Sequence, residues 1–183
     1  MAKWNLDPEH TAAEFTARHM MVTRVRGKFD SLSGYIDYDA DNKEASYVEA
    51  SFDVASVNTG GADRDNHLRG TDFFNVEAYP TMTFKSTNIE VTGEDTAKMT
   101  GDLTIRDVTH PVTLDVTYVG RGTSPFGDTR IGFEAVGKIN REDWGLTWNV
   151  ALESGGVLVS KEIEISISAQ GVLETEAEAS AEA

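Results

Sequence analysis

The 183-residue sequence predicts an all-β fold, an eight-stranded antiparallel barrel with a short helical segment in the long connection between strands three and four. Three observations carry this. Eight stretches alternate apolar and polar side chains, the period of a half-buried strand. Short runs of Asp, Asn, Gly and Pro separate most of them, and strands joined so briefly pair antiparallel. One stretch, residues 58–80, loses the period. One apolar face per strand leaves a sandwich or a barrel, and eight strands is about the count at which a closed barrel is filled by side chains or holds one small ligand.

The first strand, residues 13–19, puts Ala13, Phe15, Ala17 and His19 on one face. Runs at 32–38, 48–54 and 81–90 follow. Residues 98–105 align Met99, Gly101, Leu103 and Ile105, and residues 112–118 align Val112, Leu114, Val116 and Tyr118. The last two runs are 129–139 and 162–169, the latter with Ile163, Ile165, Ile167 and Ala169 on one side. Within 58–80, residues 62–69 contain helix formers enough for about two turns, with Gly70 placed to end them. Phe73 and Phe74 come next, and adjacent aromatics in a connection must pack on something, so this segment is expected to fold over one end of the barrel. A second irregular stretch, residues 140–148, carries Trp144 and Trp148 and precedes Gly155-Gly156. Both stretches are candidates for the mouth of a cavity. Residues 174–183 are an Ala/Glu segment with nothing large to bury, read as a disordered solvated tail beyond a domain at 1–173.

Composition narrows the function. Against 16 basic residues stand 31 acidic ones, a net charge of −15. That excess repels the phosphate backbone of nucleic acids and disfavours anionic membrane surfaces. The absence of cysteine excludes disulfides, thiolate metal sites and a cysteine nucleophile. No apolar run reaches the length of a signal peptide or a membrane span, so the expected location is cytoplasmic, with a periplasmic or secreted mature form as the alternative. Catalytic and metal motifs fail on inspection. Gly132 to Lys138 opens like a phosphate loop, but Ile139 replaces the metal-binding Ser/Thr and the stretch lies in a strand. Asp37, Asp39 and Asp41 begin like a calcium loop, yet Asn42 and Val48 stand where glycine and a bidentate Glu belong. His10, His19, His67 and His110 lack ligand spacing, and there is no Gly-x-Ser-x-Gly elbow.

Two features survive. His19 continues an apolar face, as either a hydrogen-bonded core residue or a ligand contact. The run Asp63-Arg64-Asp65-Asn66-His67-Leu68-Arg69 beside two phenylalanines is either a solvated turn or the polar rim of an apolar pocket.

At this level of detail the chain resembles the YceI-like lipid/polyisoprenoid-binding proteins. The resemblance rests on Trp4-Asn5-Leu6-Asp7 with His10 and Phe15, His19-Met20-Met21-Val22 leading to Val25-Arg26-Gly27-Lys28-Phe29, and Arg64-Asp65-Asn66-His67-Leu68. Asp72-Phe73-Phe74, Tyr79-Pro80-Thr81-Met82-Thr83-Phe84, His110-Pro111-Val112 and Asn140-Arg141-Glu142-Asp143-Trp144-Gly145 extend it in order. It implies a lipocalin-like barrel, often dimeric, with an elongated apolar tunnel for an isoprenoid chain, no cofactor and no established catalysis. Members are often exported.

The expected function is therefore non-enzymatic binding, storage or transport of a long-chain polyisoprenoid, such as an isoprenyl phosphate or isoprenoid quinone, or of a similar amphipathic lipid. Burial alone suffices for affinity, since each five-carbon unit gains about 3–4 kcal/mol at roughly 0.8 kcal/mol per methylene. Side-chain parity and the resemblance nominate Phe15, Phe52, Phe84, Leu103, Phe133, Ile165 and Ile167 as tunnel lining. Met20, Met21, Phe73, Phe74 and Trp144 are placed near the openings. For an anionic or carbonyl head, His19, Arg64, His67 and Arg141 offer cationic or imidazole donors. Arg64 and Arg141 have a second reading, as partners of Asp65 and Asp143 that lock the loops. The expected partner is the lipid, with neither nucleic acid nor stable membrane insertion, and the resemblance adds a homodimer. The alternative functions are an enzyme or stress-response protein using His19 or His67 as a general base, and a barrel whose interior is simply filled.

Overall fold

A computed structural model describes residues 1–181. Eleven strands appear among them: β1 (Ala2–Leu6), β2 (Ala12–His19), β3 (Thr23–Phe29), β4 (Leu32–Tyr38), β5 (Tyr47–Asp53), β6 (Val57–Asn58), β7 (Thr81–Val91), β8 (Thr96–Ile105), β9 (Val108–Thr123), β10 (Thr129–Asn140) and β11 (Glu162–Leu173). Every pairing is antiparallel. Eight of them close a ring in the order β1-β4-β5-β7-β8-β9-β10-β11, and Trp4 opposite Leu173 joins its ends. The predicted barrel is present, with one correction to its membership.

That correction concerns two broken strands. β1 and β2 are successive halves of one path, and both lie on β11, β1 near Gly171 and β2 near Ile165. β3 and β4 are halves of the next, on β2 and β1 respectively. Alternation marks β2 but not β1, β3 or β6. β1 has five residues and β6 has two, too few to establish a period. In β3 the inward series Val25, Gly27, Phe29 is interrupted by a glycine. Gly27 is there because the Phe15 ring lies on it: a Cβ would stand 2.3 Å from Phe15 Cζ.

The connection from β6 to β7 holds helix α1 (Ala62–Arg69), at the predicted residues. Gly70 ends it in an extended conformation, without the left-handed turn that a glycine cap often makes. The connection packs over one end of the barrel. Arg69 donates to the Ala55 and Val57 carbonyls, Phe73 is buried, and the Phe74 ring meets Phe29. Phe29 in turn contacts Phe15 and Phe52, which links the connection to the barrel wall. At the opposite end Tyr38, Tyr118 and Phe133 form a second aromatic group, and Lys43 donates to the Glu94 carbonyl between two hairpin tips. The segment read as a solvated tail includes helix α2 (Glu176–Ala181), none of whose residues is buried. Residues 182 and 183 of that segment lie outside the described residues.

Candidate functional site

Inward parity leaves an interior cavity of about 670 Å³, within the range of small-molecule sites. With strands of twelve residues in β10 and β11, tilted as barrels require, the interior is roughly 30 Å long. The lining runs from Tyr38, Tyr118 and Phe133 at one end to His19, His67 and Trp148 at the other. Between them the wall is mainly apolar, with Thr11, Glu14 and Glu134 also bordering it. Phe15, Phe52, Phe84, Leu103, Ile165 and Ile167 all face it, as their parity predicts, and so do Phe73 and Phe74 from the covering connection.

Polar groups gather at the two ends. Lys43, Ser46, Glu94, Asp95 and Thr96 stand at the hairpin end. Arg18, His19, Asp63, Arg64 and His67 stand at the α1 end. Their hydrogen bonds show which donors remain free. Arg64 Nε donates to Thr59 Oγ1 at 2.7 Å and its Nη2 to the Thr59 carbonyl at 2.8 Å, so the guanidinium is held with three N–H donors to spare. Asp65 is buried and accepts from Thr59, so it steadies the loop through that threonine without touching Arg64. His67 Nε2 is 2.9 Å from Asp72 Oδ2, and its ring stands edge-on to Phe73 and Trp148. That leaves Nδ1 uncommitted. His19, at the exposed end of β2, has no side-chain hydrogen bond among the described residues, so the reading of it as a hydrogen-bonded core residue does not hold.

Four nominated residues take other places. Met20 and Met21 are 48% and 53% exposed in the β2–β3 turn and do not line the cavity. Both have positive φ, 53° and 60°, which turns their side chains out of the strand alternation. Trp144 is 2% exposed and belongs to the packed core, because its indole N–H donates to the Leu103 carbonyl at 2.9 Å. Trp148 takes the lining position instead. Arg141 borders the cavity but is 3% exposed, and it donates to the carbonyls of Leu146, Val159 and Ser160. Its guanidinium is a clamp on the 146–160 loop, and it does not pair with Asp143. Burial lowers its pKa from the ordinary arginine value.

Trp148, from the stretch read as a candidate cavity mouth, lines the α1 end together with Leu158 and Val159, which sequence reasoning does not single out. They lie in a stretch without periodicity, where nothing separates a lining side chain from an exposed one. Among the described residues no group of three or more His, Cys, Asp or Glu is placed to hold a metal ion, and no helix is long and apolar enough to cross a membrane.

A closed antiparallel barrel around an apolar cavity, polar at both ends, defines a cavity barrel of the lipocalin-like kind. Comparison with known proteins is consistent with that class. Residues 4–171 match the YceI-like domain, and the chain belongs to the YceI-like family. It is 38% identical to Protein YceI of Escherichia coli O17:K52:H18 over 173 residues, covering 93% of this chain and 87% of that protein. The crystal structure of a Campylobacter jejuni YceI protein superposes with a TM-score of 0.74 at 34% identity, over 87% of this chain and 90% of that one. A domain from Saccharophagus degradans, described as polyisoprenoid-binding and implicated in plant cell wall breakdown, shares the fold: its TM-score is 0.69 at 18% identity, over 95% of this chain and 100% of that one.

Proposed function

We propose that the protein binds and carries a long-chain polyisoprenoid, an isoprenyl phosphate or isoprenoid quinone, or a similar amphipathic lipid, and catalyses no reaction on it. The observation that carries this reading is the cavity of about 670 Å³ whose wall is mainly apolar along the barrel while most of its polar groups lie at the ends. Such a space gains free energy by removing methylenes from water and offers nothing to a hydrophilic substrate along most of its length. The apolar chain lies along Phe15, Phe52, Phe84, Leu103, Ile165 and Ile167 towards Phe133. The head lies at the α1 end, where His19, Arg64 and His67 present uncommitted nitrogens. The name of the Saccharophagus domain supports the same chemistry.

Extraction tests it. Protein purified from its own host and treated with organic solvent is expected to release a lipid in stoichiometric amount, identified by mass spectrometry. An empty extract, together with no uptake of added isoprenoids, overturns the reading. The His67 and Asp72 pair has the geometry of a base and its orienting carboxylate, so one measurement separates carrier from enzyme. If His67→Ala abolishes conversion of a bound lipid while leaving its binding intact, the protein is an enzyme.

A further inference from the structure

The turn between β2 and β3 stands beside the cavity at its α1 end. Met20 N donates to the Leu158 carbonyl at 2.7 Å, and His19 bridges to Val159; His19, Leu158 and Val159 all line the cavity. The turn itself is Met20-Met21-Val22, exposed by 48%, 53% and 73%. Val22 N donates to the His19 carbonyl, and the two residues between them have positive φ. Hairpins with that backbone ordinarily use asparagine and glycine there, because other side chains pay a steric penalty. Here two methionines pay it, each about half exposed, with the Met21 side chain lying against Gly156.

Behind the tip the charge is reversed relative to the molecule. Of the 16 lysines and arginines, all but three have a side-chain partner among the described residues: a carboxylate, a carbonyl, a hydroxyl or a ring. The three are Arg18, Arg24 and Arg26, neighbours on the β2–β3 hairpin, of which Arg18 also borders the cavity. Arg18 is directly opposite Arg24, a like-charge pair that destabilises a hairpin unless something neutralises it. Glu164 stands level with Arg26, across Thr16, Glu162 precedes it on the same face and is paired with Lys138, and Glu14 lies farther from the tip.

We propose that this hairpin docks the protein on an anionic lipid bilayer, with Met20, Met21 and Val22 entering the interface and the three arginines meeting lipid phosphates. An apolar tip backed by cations is the composition of an interfacial anchor. The net charge of −15 opposes approach, but beyond about 8 Å it is screened at physiological salt, so the local cations decide and the molecule arrives tip first. Docking then holds the α1 end of the cavity against the membrane, where an apolar cargo crosses without entering water.

Flotation with vesicles of phosphatidylcholine alone and of phosphatidylcholine mixed with phosphatidylglycerol tests this. The protein is expected to float with the mixed vesicles only, and less as salt is added. Replacing Arg18, Arg24 and Arg26 by Gln is expected to weaken binding roughly fivefold per charge at low salt. Met20→Asn with Met21→Gly is expected to weaken it about tenfold or more and to raise the unfolding temperature, since it restores the residues the turn prefers. Equal binding to both vesicles, binding to neither, or binding unaffected by either variant overturns the proposal. So does a change of oligomeric state in light scattering without loss of flotation, which assigns the tip to self-association. Vesicle binding and solvent extraction are independent readouts, so the failure of docking and the failure of the carrier reading are distinguishable.

Discussion

Asp7 lies where the chain leaves β1, and four groups converge on it: the Glu9 N–H, His10 Nδ1, Gln170 Nε2 and Arg130 Nη1. Partial burial pushes its carboxyl up, but the hydrogen bonds from His10, Glu9 and Gln170 outweigh that and hold it below the ordinary aspartate value. A carboxyl depressed in the folded state contributes stability in full above about pH 4, its unfolded value, and loses it as pH falls through the lower folded value. Asp7→Asn should therefore cost about 2 kcal/mol near neutrality, and the gap to the unmodified protein in urea titrations should close below pH 4. Arg141 presents the opposite case, a buried cation with no carboxylate bonded to it. Arg141→Met leaves the Leu146, Val159 and Ser160 carbonyls without their donor and should cost about 2–4 kcal/mol, read by thermal unfolding. Neither role is legible in sequence, because each depends on groups far along the chain. The exchange of Trp144 for Trp148 has the same origin: only the fold places the Leu103 carbonyl where the Trp144 N–H needs it.

The strands tell how far alternation reaches. Every inward residue of β11 from Ile163 to Ala169 borders the cavity, and so do Val112, Leu114, Val116 and Tyr118 of β9, because a two-residue period maps directly onto the inside of a barrel. The period is silent about glycines that complete the wall. A Cβ on Gly101 would stand 2.3 Å from Phe84 Cζ and 2.8 Å from the Lys85 carbonyl oxygen, so the ring of one strand lies flat on the backbone of the next. Gly101→Ala should cost about 1–3 kcal/mol in chemical denaturation, and adding Phe84→Leu should recover part of it. The β3 strand escapes notice for the same reason, since Gly27 occupies an inward position only because Phe15 covers it.

At the scale of the molecule, what matters is whether the interior is empty or packed. Ala135 faces the cavity from β10, and Ala135→Phe puts a ring into that space. In a packed core such an enlargement costs about 1–3 kcal/mol; here stability should shift by less than about 1 kcal/mol while the lipid recovered by extraction falls sharply. Alternation cannot distinguish the two cases, because inward side chains look alike whether or not they meet across the barrel. The seam of the barrel has a consequence of another kind. β11 pairs with β10, β2 and β1, and its last residue, Leu173, holds Trp4. On the ribosome, the first strand must wait for the last, and until β11 emerges the sheet is an open one with its apolar face uncovered. A chain stalled before residue 162 is then an aggregation hazard and not a shorter barrel. Closure of the barrel therefore waits for β11, which joins β10 to β1 and β2.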